Sequence, residues 1–131
     1  MQDCAGFSEE TKSWLRVFLD GSVNELPDIV INETENYALI RNDQLELYHA
    51  LTKYEYIENG VYISDKPSLW TRNLETARRL GTKVISTFIA NSSVLLDVRE
   101  LDSDYVKNTL WASPIDEEVI IFPGTYRVVE I

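Results

Sequence analysis

Apolar positions in the first twenty residues recur at the spacing of a helix, with Trp14, Leu15, Val17, Phe18 and Leu19 forming a wide stripe over residues 8–20. Ser8 is placed to cap that helix, Glu9 and Glu10 fall in its first turn, where the helix dipole favours acids, and Gly21 ends it. Between 22 and 44 the pattern weakens. Asp28-Ile-Val-Ile-Asn32, after Pro27, reads as a short strand, and Tyr37-Ala-Leu-Ile-Arg41 is a second apolar run without a clear period. From Leu45 onward strand-like runs follow at 45–51, 61–64, 68–71, 84–90, 94–98, 118–122 and 125–131. One helix interrupts them: Asn73 caps it, Leu74, Ala77 and Leu80 face inward, and Gly81 stops it. Pro123-Gly124 has the residue types of the two central positions of a type II turn, so the last two strands are expected to form a hairpin.

This order of elements predicts an α+β fold with an N-terminal helix and short helices between strands, and it excludes the regular β-α-β alternation of a doubly wound parallel sheet. No glycine-rich phosphate loop, repeat or linker is present, and 131 residues at 44% hydrophobic content fit one domain, with 1–44 as its helical and irregular portion. No run reaches the roughly 18 apolar residues that a membrane span needs, and no basic-then-apolar leader opens the chain, so a cytoplasmic location in the producing or a host cell is expected. With one cysteine, Cys4, and one histidine, His49, a zinc site is not expected, nor any other metal.

The formal charge of −10 is uneven: residues 1–65 hold 13 acids against 4 bases, residues 66–131 hold 9 against 8. That field argues against nucleic acid as a partner, because such binding needs cationic surface to displace counterions. Lys66, Arg72, Arg78, Arg79 and Lys83 face only Glu75 and form a local basic patch, either a phosphate site or a solvated helix face.

Three carboxylates stand where the final apolar strand begins. If 116–122 is a strand, Asp116 and Glu118 share one face and Glu117 takes the other. Glu118 then precedes Val119, Ile120, Ile121 and Phe122, a run apolar on both faces, where a carboxylate is costly unless it has work or a partner. The plainer alternative is a solvated acidic turn. His49 lies between Tyr48 and Ala50 on an apolar strand, where a lone imidazole is ordinarily a hydrogen-bonded structural residue. Trp70 and Tyr62 fit equally as core aromatics.

Three fragments, taken in order, resemble the ADP-ribosyltransferase superfamily. Leu47-Tyr48-His49-Ala50-Leu51 is similar to the family's opening strand, which carries Arg or His. Ser68-Leu-Trp-Thr-Arg-Asn-Leu-Glu-Thr-Ala-Arg-Arg-Leu-Gly81 resembles its strand ending in an aromatic and a Ser or Thr, followed by a helix. Asp116-Glu117-Glu118-Val119 through Pro123-Gly124-Thr125-Tyr126-Arg127-Val128 resembles its glutamate strand and closing hairpin. The match covers roughly residues 45–131 and leaves the first helix outside it. The resemblance implies two small packed β-sheets in a split sandwich with NAD bound between them as substrate, and a small transferase, effector or toxin that moves ADP-ribose from NAD to a protein acceptor. It assigns Glu118 as the catalytic carboxylate and Asp116 as its companion. His49 and Thr71 would grip NAD, Trp70 or Tyr62 would stack on nicotinamide, and Arg72 with the start of the helix at Asn73 would meet the pyrophosphate. Ala50 stands where the family commonly has Gly, and Asp116 is shorter than the usual Glu or Gln. Those departures, with the acidic first half, motivate the alternative of a catalytically degenerate module of the same fold that engages a basic protein.

Overall fold

The computed structural model describes residues 6–20, 25–38, 45–53 and 55–131. Helix α1 spans Glu9–Leu19; the Ser8 hydroxyl accepts the Thr11 N–H at 3.3 Å, as the cap pattern requires. It buries Trp14, Leu15 and Phe18 and stacks the first ring on the last at 4.9 Å, whereas Val17 stays 41% exposed, so the stripe is narrower than expected. The proposed Gly21 cap lies outside the described residues.

Residues 28–32 are not a strand. Helix α2 runs Asp28–Thr34 and tightens into a 3-10 turn at Glu35–Tyr37. The β-branched Ile-Val-Ile favours a strand locally, but Val30, Thr34 and Tyr37 are the buried positions, at helical spacing, and the Thr34 hydroxyl donates to the Val30 carbonyl at 2.7 Å. Glu33 of α2 ties back to α1, accepting both the Ser8 N–H at 2.8 Å and its hydroxyl at 3.0 Å.

Nine strands form two antiparallel sheets among the described residues: β1 Leu45–Ala50, β2 Ile57–Glu58, β3 Val61–Ser64, β4 Ser68–Thr71, β5 Val84–Ile89, β6 Val94–Asp97, β7 Glu118–Ile121, β8 Gly124–Arg127 and β9 Val129–Glu130. The six-stranded sheet has the order β6-β7-β4-β1-β5-β9, and the smaller sheet is β2-β3-β8. Helix α3, Leu74–Leu80, follows β4 with Asn73 as its side-chain cap, and α4, Ser103–Asn108, follows β6. Ala77 of α3 is fully buried as expected, but Leu80 is 67% exposed.

Strand β7 lies inside the larger sheet and is buried at all four positions, which accounts for its apolar character on both faces. Ile120 joins the cluster of α1 and α2 with Phe7, Trp14, Leu15 and Phe18, while Val119 and Ile121 join Leu47, Trp70 and Tyr62 on the side of the smaller sheet. The fold is therefore α+β in three layers: helices, large sheet, small sheet.

The last two strands do not form the expected hairpin. Both edges of β7 are occupied by β4 and β6, so the chain leaves the large sheet at Phe122-Pro123 and pairs β8 with β3, Gly124 opposite Ser64. Gly124 does not adopt the positive φ that a type II turn demands at its position. A true tight turn occurs instead at Asn59-Gly60, φ 54° and 72°, between β2 and β3. The chain then crosses back: after Val128 donates its N–H to Gly60 O at 3.0 Å, β9 adds to β5.

Candidate active site

β1 and β4 share a single pair, Tyr48 opposite Thr71, and then part. In the gap the His49 ring replaces the ladder, its Nδ1–H donating to the Leu69 carbonyl at 2.7 Å. A cleft of about 910 Å³ opens at this split. Its walls come from the end of β1 and the following loop, from the segment leading into β4, and from the stretch 111–118.

Glu118 begins β7 in a cross-strand row, Tyr48 opposite Thr71 opposite Glu118, so the three side chains share one face of the sheet. His49, Trp70 and Val119 form the next row and point to the other face. One residue of each row, Glu118 and His49, lines the cleft, together with Asp116. Glu118 is 7% exposed, and its carboxyl has no hydrogen bond or ion pair among the described residues. Burial, reinforced by repulsion from Asp116, pushes its pKa up to about 7.

Asp116 is not on the strand. It closes a 3-10 turn, Pro114–Asp116, and Glu117 follows at φ 49°, a left-handed conformation that breaks the two-residue alternation. The two carboxylates are neighbours through that turn rather than through the strand period. One Asp116 oxygen accepts from the Thr76 hydroxyl at 3.3 Å and from Arg79 at 3.2 Å, both on α3.

The groups expected to grip a cofactor take other places. Trp70 and Tyr62 are each 1% exposed and belong to the core between the sheets, so neither ring has a free face for nicotinamide. The Trp70 indole donates to the Ser68 hydroxyl at 2.8 Å and stacks on His49 at 5.0 Å. Thr71 is 4% exposed; its hydroxyl donates to the Asp116 carbonyl and accepts the Asn73 N–H at 3.0 Å. Arg72 is engaged with Asp97 in a two-bond pair at 2.8 and 2.5 Å, the Asp97 side chain buried and that of Arg72 nearly so, and Arg72 does not line the cleft. The basic patch is also largely cancelled, since Arg79 meets Asp116 and Arg78 meets Glu75 at 3.7 Å.

His49 lies at the cleft, but both ring nitrogens are engaged: Nδ1 with Leu69 O and Nε2 with the Glu55 carboxylate at 3.1 and 3.2 Å. The sequence does not single out Glu55, because the stretch between β1 and β2 has no periodic pattern. Glu55 accepts from His49, from the Tyr62 hydroxyl and from the Thr52 N–H at 2.9 Å. Burial opposes its ionisation, yet the bonds and charge of His49 with the bonds from Tyr62 and Thr52 outweigh that cost and hold its pKa at about 2. Burial and the same carboxylate raise the Tyr62 phenol well above its ordinary value.

Two more cleft residues, Trp111 and Tyr56, carry no sequence signal, and a third, Lys66, stands out in the sequence only as part of the basic patch. Trp111 and Tyr56 are 74% and 72% exposed at the cleft, and Lys66 lines it beside Asp65. Trp111 adopts φ 56°, with the Arg16 guanidinium 4.6 Å from its ring centre.

Among the described residues no group of three or more His, Cys, Asp or Glu side chains could hold a metal, and no helix is long and apolar enough to cross a membrane. Neither family models, nor curated proteins, nor solved structures give a match to this chain.

Proposed function

We propose that the chain is a mono-ADP-ribosyltransferase of split-sandwich type, using NAD as substrate and Glu118 as its working carboxylate. The observation that carries this reading is a buried carboxyl without a partner among the described residues, at a cleft of about 910 Å³, a size suited to a nucleotide. The three fragments that resemble the family, separated by up to about seventy residues in sequence, lie on adjacent strands β1, β4 and β7.

The chemistry follows from the charges. Breaking the bond between ribose C1′ and the nicotinamide nitrogen sends the electron pair to nicotinamide, which leaves neutral, and positive charge develops on the sugar. Ionised Glu118 accepts a hydrogen bond from the ribose 2′-hydroxyl, and that bond strengthens as the charge grows, as in glycosidases. The acceptor's lone pair then closes on C1′, and its proton passes to Asp116, whose second oxygen is unengaged among the described residues. The positively charged nicotinamide ring draws the Glu118 equilibrium toward the carboxylate on binding. His49 acts at one remove in this scheme: through Glu55 it holds the cleft wall rather than the substrate.

A second reading keeps the fold without the chemistry. Asp20, Glu58 and Asp65 are exposed at the cleft, with Lys66 the one Lys or Arg lining it among the described residues, which favours a basic protein partner. Incubation with labelled NAD and a cell lysate separates the two. Label transferred to protein by the wild type and not by Glu118→Gln supports the transferase; a salt-sensitive complex formed equally by both chains, with no transfer, replaces it with the binding module.

A further inference from the structure

Residues 116–118 are held from one side by β4 and from the other by the end of β6. The Arg72 N–H donates to the Glu117 carbonyl at 3.2 Å, which extends the β4–β7 ladder past Thr71 and Glu118. Its guanidinium turns away to Asp97, the last residue of β6, in the paired bonds described above. Asp97 spends one of the same oxygens on the Arg99 N–H at 3.1 Å, and Arg99 reaches the Glu117 carboxylate at 3.5 Å. Glu117 lies between these contacts in its left-handed conformation, φ 49°, the kink that sets the direction in which Glu118 leaves the turn. A buried ion pair adds little net stability compared with apolar side chains of the same volume, so stability alone does not explain this one.

We infer that Arg72 and Asp97 are positioning residues for Glu118, locking the kink at Glu117 so that the Glu118 carboxyl stays in the cleft. This inference rests on the reading of Glu118 as the working carboxylate, but its geometry can be tested apart from it. Neither residue lines the cleft, so substitution there removes no cleft side chain and acts on the site only through Glu118.

The discriminating variant removes both partners. The double variant Arg72→Met with Asp97→Leu is expected to melt within a few degrees of wild type, since the buried charges leave together. It is expected to lose at least about tenfold in kcat for nicotinamide release from NAD with KM within about twofold, because the reacting geometry and not substrate binding is disturbed. Each single variant should lose as much kcat as the double, the non-additivity of a shared device. A second readout needs no activity: with glutamate carboxyls labelled with carbon-13, Glu118 should titrate near pH 7 in wild type and closer to an ordinary glutamate in the double variant, as it swings away from Asp116 and into water. Wild-type kcat together with an unmoved titration in a folded double variant overturns the inference. Should the double variant not fold, Arg72→Lys, which keeps the charge and loses the paired bonds, must show the same kcat loss and titration shift; an unchanged Arg72→Lys overturns the inference equally. A wild type that releases no nicotinamide removes the transferase reading, and the titration alone then decides whether the pair positions Glu118.

Discussion

Folded, Glu118 ionises near pH 7; unfolded, near its ordinary 4.5. Between those values the native chain holds a proton that the unfolded chain has lost, so stability falls as pH rises through this window, by about 3 kcal/mol in total. Glu118→Gln should abolish that loss, and chemical denaturation at pH 8 should find the variant more stable than wild type by about 3 kcal/mol while inactive. Glu55 has the opposite sign. Its folded pKa of about 2 lies below the ordinary 4.5, so its contribution is fully present above pH 4.5 and disappears as pH falls toward 2. Glu55→Gln, which removes the carboxylate that accepts from His49, Tyr62 and Thr52, should cost about 3 kcal/mol at pH 7, measured as a lower urea midpoint. Of these two carboxylates the sequence exposes one. Glu118 stands out because four apolar residues follow it, whereas Glu55 lies among polar loop neighbours and acquires its role only when His49 and Tyr62 are brought to it.

The central strand carries both halves of the core. Ile120 of β7 is fully buried against the helical layer, and Ile120→Ala should cost about 3 kcal/mol, seen as a fall in urea midpoint with unchanged slope. Leu80 of α3 is a contrast: exposed at the cleft, it should tolerate Leu80→Gln within about 0.5 kcal/mol. Elements were legible where local chemistry is complete. Ser8 and Asn73 announce α1 and α3 because their side chains take the first free N–H groups, and most strands end within a residue or two of their apolar runs. Residues 28–32 misled because three β-branched side chains outweigh the helical spacing of Val30 and Thr34 when only a five-residue window is read. The terminal hairpin misled because Pro-Gly is a turn signal only if the flanking strands are free to pair, and β7 was already paired on both sides. Short α4 gave no signal, since Val106 is its one buried side chain.

At the scale of the molecule the final residues visit both sheets, β7 in one, β8 in the other and β9 back in the first, so the two walls beside the split are joined by one stretch of chain. β1 and β4 meet at one pair, and the cleft beside their separation is lined by His49, Asp116 and Glu118 among others. NAD at a hundred times its dissociation constant should therefore add about 2.7 kcal/mol and raise the melting temperature by several degrees. The most direct measurement is nicotinamide release from NAD between pH 5.5 and 8.5 by wild type and Glu118→Gln. The proposed mechanism requires ionised Glu118, so it predicts that kcat/KM for wild type rises with pH to a plateau with a midpoint near 7 and is lower by at least about a hundredfold in the variant at every pH. Release by the variant equal to that of wild type, or no release by either, contradicts the account.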